Sequence, residues 1–369
     1  MNILTRSPFW VTDTTELTVE SAELEITIAG SLRYTLVKNS TGVVGWEISE
    51  LLRDYLDIDY DNTNTHSLAV SWTITWYDEQ NGSDGTGSVV TSSSGSGFIW
   101  DGYGYFTEGR NPTTTRGYLQ SNNIIYRLDD SQVKIPVDNA NTTFVGFLKD
   151  GDLINGETIT PDASNNIEYV SSYTAVDTSY DSFKERVEAD GGTFEGSLCL
   201  DKFLKQFDIN EVDEVYVVGT DGVFTIEVKT IEECRYQPMK LTFVNRYGAL
   251  QDLWFFKKSV ESLTTKKEDY NRFNVTTSGV YDTKEHTRQV YNVESQRKLK
   301  INTGYVDESY NELMKELMQS EQVWLDIDND VYPINVDTNS LTFKTSVNDR
   351  LVDYSLDISF SYNEINIMR

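Results

Sequence analysis

Apolar and polar side chains alternate at period two along most of this chain, and a period of three to four breaks through at a few places. From Glu23 to Lys38, ELEITIAGSLRYTLVK alternates with an interruption at Gly30, which predicts a hairpin with one face in water. WEISELLRDYL then sets Ile48, Leu51, Leu52, Tyr55 and Leu56 on one face of a short amphipathic helix. SLAVSWTITWYDE returns to alternation, with Leu68, Val70, Trp72, Ile74 and Trp76 on one side, and is the clearest strand in the sequence. Residues 80–97 are dominated by Gly and Ser. So little apolar area does not offset the entropy of ordering, and a mobile loop is predicted there. FIWDGYGYF, a turn at Asn111 and Pro112, YLQSNNIIYRL and a strand pair across Val133 to Phe147 follow.

The period then changes. DSFKERVEADGGTFEGSLCLDKFLKQF predicts one helix from Ser182 to Ala189, a stop at Gly191 and Gly192, and a second helix from Ser197 to Phe207. Strands resume with EVYVVGT and GVFTIEVKT and continue through FNVTTSGVYDT and HTRQVYNVESQRKLKINTG. DESYNELMKELMQS predicts one more helix, with Tyr310, Leu313, Met314, Leu317 and Met318 on one face and Asp307 as its N-cap. VWLDI, VYPINV, LTFKTSV and LVDYSLDISFSY close the chain as a meander. The fold class expected is mainly β: two β-sandwich-like domains with short inserted helices, joined by a small helical segment. The boundaries expected are 1–160 for an N-terminal β domain with one short helix, 161–210 for a helical spacer, and 211–369 for a C-terminal β domain with one helix.

Within this pattern KLTFVNRYGALQDLWFFKKS stands out. LTFV and ALQDLWFF read as a hairpin across NRYG, where Gly248 takes positive φ and Asn245 bonds the turn backbone. Leu253 and Phe255 then point one way and Trp254 and Phe256 the other, so both faces of this strand are apolar. An open sheet with one wet side needs only one apolar face. The second face requires a cover, from the same chain or from a neighbouring subunit. Leu253, Trp254, Phe255 and Phe256, with the helix face Tyr310, Leu313, Met314 and Leu317, are therefore the interface or packing candidates.

Composition agrees with β structure: 22 Tyr, 16 Phe and 7 Trp in 369 residues favour strands over helix bundles. The formal charge of −28 argues against a grip on nucleic acid, which binders neutralise with Lys and Arg. It does not forbid self-association, because charges spread over a surface of this size lie farther apart than the Debye length of about 8 Å. The start MNILTRSPFW lacks the apolar run of a secretion signal, and no segment has the length of a membrane span. A soluble protein made in a cytosol is the expectation. Cys199 and Cys234 are too few for a disulfide framework and read as buried, inert thiols.

Candidate chemistry is sparse. Asp57, Asp59 and Asp61, and again Asp326, Asp328 and Asp330, open like a calcium loop, but Leu68 stands where the bidentate Glu of the first belongs and Val331 where the second needs its Gly. His66 and His286 are in no zinc or acid–base spacing and read as surface histidines. Nucleophile elbows and phosphate loops are missing, and Gly102 and Gly104 fail the dinucleotide pattern. No enzyme, cofactor or metal is expected. Trp100, Tyr103 and Tyr105 offer flat rings on which a sugar can stack, so a glycan- or receptor-binding adhesion module is the alternative reading.

CRYQPMKLTFVNRYGALQDLWFFKKSVESL, together with SEQVWLDIDNDVYPINVDTNSLTFKTSVNDRLVDYSLDISFSYNEIN, resembles the C-terminal half of virion structural proteins of tailed bacteriophages. RSPFWVT and EISELLRDYLDIDYD look like the N-terminal part of the same proteins, and RVEADGGTFEGSLCLDKFL is similar to a helical module of phage tail-associated proteins. The resemblance implies a tail, neck or baseplate element, a homo-oligomeric ring or sleeve, that docks on other tail, neck or portal-proximal proteins of the virion. It carries no catalytic residues, and it implies neither specific nucleic-acid binding nor a membrane.

Overall fold

The computed structural model describes residues 1–61, 66–85, 87–128, 133–161, 166–172, 212–231, 233–327, 330–342 and 351–364. The chain is mainly β and divides into two compact units, the first formed by Met1–Glu232 with Val244–Gln251, the second by Glu233–Phe243 with Asp252–Arg369. The helices expected at 182–189 and 197–207, the spacer that holds them and Cys199 lie outside the described residues.

The first unit begins with β1 (Asn2–Leu4), β2 (Trp10–Thr14), β3 (Ser21–Ile28), β4 (Ser31–Asn39), β5 (Val43–Glu47), the helix α1 (Ser49–Arg53), β6 (Ser67–Tyr77), β7 (Val89–Trp100) and β8 (Thr113–Thr114). Six of these strands form one sheet in the order β4-β3-β6-β7-β1-β8, and β2 pairs with β5. The β3–β4 hairpin turns where the period breaks, with Ala29 at φ 49° and Gly30 at φ 77°, the left-handed pair that matches the twist of two-residue hairpins. The α1 stripe is anchored as its spacing predicts, since Ile48 and Leu52 are fully buried, but the helix itself lasts only from Ser49 to Arg53. Packing of the stripe does not require the helix to continue.

The loop predicted for residues 80–97 is a correction. From Val89 onward it is β7, paired with β6 from Ser67↔Trp100 to Tyr77↔Val89. Its small residues are a packing requirement: a Cβ on Gly95 would stand 2.5 Å from the Trp72 ring, and one on Gly97 would stand 2.4 Å from the Met1 carbonyl oxygen. Ladder bonds to β6 along the whole strand, joined by β1 from Phe98 to Trp100, hold a strand that carries few apolar side chains.

The first unit continues with β9 (Ile124–Arg127), β10 (Lys134–Asp138), β11 (Thr142–Lys149), β12 (Asp152–Thr158), β13 (Ile167–Ser171), β14 (Glu214–Gly219) and β15 (Gly222–Thr230). Five of them form a sheet ordered β12-β11-β14-β15-β9, and β10 pairs with β13. Strands β14 and β15, placed by the sequence in a domain beginning at 211, thus share a sheet with β11 and β12. Val145, Phe147, Val215, Val217 and Ile226 form one buried cluster, which binds the strands across the intervening stretch.

The second unit is built on β16 (Met239–Val244), β17 (Leu250–Phe255), β18 (Val260–Asn271), β19 (Arg288–Asp307), the helix α2 (Tyr310–Gln319), β20 (Val323–Ile327), β21 (Asp330–Val336) and β22 (Leu351–Phe360). The sheet order is β17-β16-β20-β21-β22-β19-β18. Ser309 rather than Asp307 is the α2 N-cap, and Asp307 Oδ1 accepts the Ser309 N–H at 2.9 Å, fixing the turn that leads into the helix. Most of LTFKTSV lies outside the described residues.

Candidate functional site

The NRYG turn places Gly248 at φ 79°, and a Cβ there would come within 2.9 Å of the Asp101 backbone nitrogen, so the position requires glycine. Asn245 is fully buried and organises the turn. Its Oδ1 accepts the N–H groups of Tyr247 at 2.9 Å and Ala249 at 3.1 Å, while its Nδ2 donates to the Leu119 carbonyl at 2.7 Å and to Gln251 Oε1 at 3.0 Å. Tyr247 and Ala249 join Leu4, Trp100, Leu119 and Ile167 in a buried cluster of the first unit.

The doubly apolar strand behaves differently from one of its two expectations. Leu253, Trp254, Phe255 and Phe256 are all buried in the single chain, and so are Tyr310, Leu313, Met314 and Leu317. The second face is therefore covered from within, and a neighbouring subunit is not needed to hide these side chains. They are packing residues, and the part of the assembly expectation that rested on this ribbon is withdrawn.

The stacking platform is also not assembled. Trp100 is fully buried, so no sugar reaches its ring. Tyr103 and Tyr105 meet edge-to-face at 5.8 Å, the Arg6 guanidinium lies 5.2 Å from the Tyr103 ring, and that of Arg246 lies 4.5 Å from the Tyr105 ring. Arg246 is fixed in turn by Glu108 at 2.6 Å. Cations of the chain itself occupy the rings that a glycan would use.

His66 is a further correction: it is buried, with Nε2 3.0 Å from Asp59 Oδ1. Burial pushes its pKa below the ordinary 6.5, although the Asp59 carboxylate pulls the other way. The folded state thus holds His66 neutral. Its contribution is complete above the unfolded pKa and is lost as pH falls below about 6.5. Denaturant melts at several pH values should show stability dropping from pH 7 toward 5, with a shallower drop in His66→Gln. Asp326 pairs with Lys240 at 3.1 Å, and no acidic or histidine cluster able to hold a metal occurs among the described residues. Cys234 is exposed, contrary to its expected burial.

What the sequence pattern missed is the hairpin of β18 and β19. The two strands pair from Val260↔Lys300 to Asn271↔Arg288, but β22 reaches β19 only from Lys298 onward. The last backbone bond from outside the hairpin is Glu364 N–H to the Ser295 carbonyl. Beyond it, from Lys266 to Asn271, the ladder has no third strand among the described residues; at 3.3 Å per residue this is an arm of roughly 20 Å before its tip. The tip is closed by a Val275↔Tyr281 bridge and a turn with Gly279 at φ 74°. No residue from Val260 to Tyr291 is buried. Phe273 is 85% exposed and Tyr281 60%, and Leu263, Tyr270, Val290 and Tyr291 are also open to water.

The arm differs from the remainder of the chain in charge as well. Residues 257–300 carry ten Lys and Arg against six Asp and Glu, a local excess of four positive charges in a chain of −28. That reversal, with polar residues on both parities of VESLTTKKEDYN, is the sequence signal that marks the arm: a strand packed on a core would spare one parity for apolar groups. No family model matches the chain, and no curated protein matches it either.

Proposed function

We propose that the chain is a non-enzymatic structural subunit that assembles with copies of itself, as a ring or sleeve in the tail, neck or baseplate of a tailed-phage virion. The arm carries this reading. A two-stranded ribbon is marginal in water by itself, and this one exposes aromatic rings along its length and at its tip. Its 32 unburied residues match the roughly 20–30 residues that one partner contributes to a stable protein interface. Cross-strand ion pairs join its two strands: Arg297 grips both oxygens of Glu261, at 2.5 and 3.1 Å, and Arg288 meets Asp269 at 2.6 Å.

The virion setting rests on the likeness of the two C-terminal stretches to virion proteins, and two β-sandwich-like domains suit a rigid wall element. Self-association rests on the arm alone. Light scattering on the purified protein over a wide concentration range should give a mass that is a multiple of 42.1 kDa, with rings or sleeves visible by negative stain. A particle that stays at one chain's mass at every concentration overturns the proposal.

A further inference from the structure

The outer strand of the arm is β18, which pairs with β19 on one side and has no strand on the other among the described residues. Its outer backbone N–H and C=O groups are thus a template for strand addition by another chain. The side chains of Lys266 and Lys267 take part in no hydrogen bond or ion pair among the described residues. Alternate residues share a face, and the ladder runs on past β18, with the Arg272 N–H on the Thr287 carbonyl at 2.6 Å, which carries the alternation to Phe273. One face therefore presents Leu263, Thr265, Lys267, Asp269, Asn271 and Phe273. Laid antiparallel on a second copy of itself with Glu268 at the centre, this row sets Leu263 against Phe273, Thr265 against Asn271 and Lys267 against Asp269, each twice. On the other face Lys266 meets the Tyr270 ring, also twice. The two Glu268 side chains oppose each other at the centre, with Lys266 of each copy on the diagonal. Moving the centre by one residue loses the match. About Lys267, two lysines face each other and Glu261 faces Phe273; about Asp269, two aspartates face each other and Lys266 faces Arg272. The edge strand β4 offers nothing comparable, because SLRYTLVKN has two basic residues and no acidic one.

Building on the self-assembly reading above, we infer that the arms of two copies lie side by side, antiparallel, joined through their β18 edges with Glu268 at the two-fold axis. The positive excess of the arm does not oppose this, since β18 itself has two Lys against one Asp and two Glu. Two ribbons, each marginal alone, become one four-stranded sheet, and the exposed Phe273 of each reaches the exposed Leu263 at the base of the other. The contact uses the same surface on both copies. Any ring or sleeve that includes it therefore has an even number of chains.

Cross-linking reads the register directly. In full-length chains with Cys199→Ser and Cys234→Ser, to keep stray disulfides out, single cysteines are introduced by Lys266→Cys, Glu268→Cys or Tyr270→Cys, and circular dichroism with thermal melts verifies that each variant is folded. Under mild oxidation Glu268→Cys chains should link to one another, because residues directly opposite on antiparallel strands have Cβ atoms about 4.5–5.5 Å apart, close to the reach of a disulfide. Lys266→Cys and Tyr270→Cys chains should stay largely unlinked alone and link when mixed. Lys267→Glu, which places like charge opposite Asp269 twice, should weaken association roughly tenfold in sedimentation velocity. Where the parent assembles, Glu268→Cys chains that link no faster than Lys266→Cys chains, or a Lys267→Glu variant that assembles like the parent, overturn the arm pairing while leaving self-assembly standing. A parent that is monomeric throughout overturns the self-assembly reading itself.

Discussion

On the self-assembly proposal, replacing residues 266–294 by Asn-Gly should leave a folded protein that stays monomeric at every concentration. Thr265 and Ser295 are directly paired, so a two-residue turn joins them without disturbing the ladder below, and the Glu364 bond to Ser295 is kept. The removed segment includes Asn292 and Ser295's neighbours on the ribbon but none of the large buried side chains of either unit. Unfolding free energy should therefore shift by no more than about 1 kcal/mol, in keeping with surface changes elsewhere. Association should fall far more. Phe273 and Tyr281 together should supply about 4 kcal/mol if each acts as an interface anchor, which is about a thousandfold in affinity. Phe273→Ala with Tyr281→Ala should reproduce most of the loss in sedimentation velocity. A double variant that assembles like the wild type would show that the tip rings are not anchors.

Asn245→Asp should be the most damaging isosteric change in the chain. The carboxylate keeps the bonds from the Tyr247 and Ala249 N–H groups but has no donor for the Leu119 carbonyl or Gln251 Oε1, which then face it as like dipoles in a fully buried site. Two lost donors and a buried unpaired charge should cost on the order of 4 kcal/mol at neutral pH. Part should return in acid, because a protonated carboxyl can donate one of the missing bonds. The variant should thus be closer to wild type at pH 4 than at pH 8, the opposite of the slope that His66 imposes on the parent. Guanidinium melts at the two pH values decide it; equal losses at both would mean that charge is not the cause.

Much of the fold is legible from periodicity. The β3–β4 hairpin, β6, the NRYG turn and the α2 stripe are all local: each is set by side chains within a dozen residues, and Gly30 or Gly248 marks the break. What escapes is decided by distant partners. The Gly and Ser of β7 look disordered until Trp72 is seen lying over Gly95. The attachment of β14 to β11 depends on valines some seventy positions apart, such as Val145 and Val217, and no composition shift announces it. The candidate site was misjudged for a related reason. Apolar content on both faces of the Leu253–Phe256 strand draws attention, yet such a strand is what the interior of a large chain consists of. The exposed arm is mostly polar, and its signal is a reversal of charge and the lack of a protected face, which hydrophobic periodicity does not measure.

The eight residues from Val244 to Gln251 belong to the first unit although they are made after nearly all the rest of it. Arg116 and the Tyr247 hydroxyl it bonds are 131 positions apart. At elongation rates of roughly 5–20 residues per second, the ribosome delivers that tyrosine on the order of ten seconds after the arginine. During this interval Leu4, Trp100 and Leu119 lack the Tyr247 and Ala249 side chains that share their cluster, so the nascent chain should expose more apolar surface than the finished one. An N-terminal fragment ending at residue 232 would never receive them.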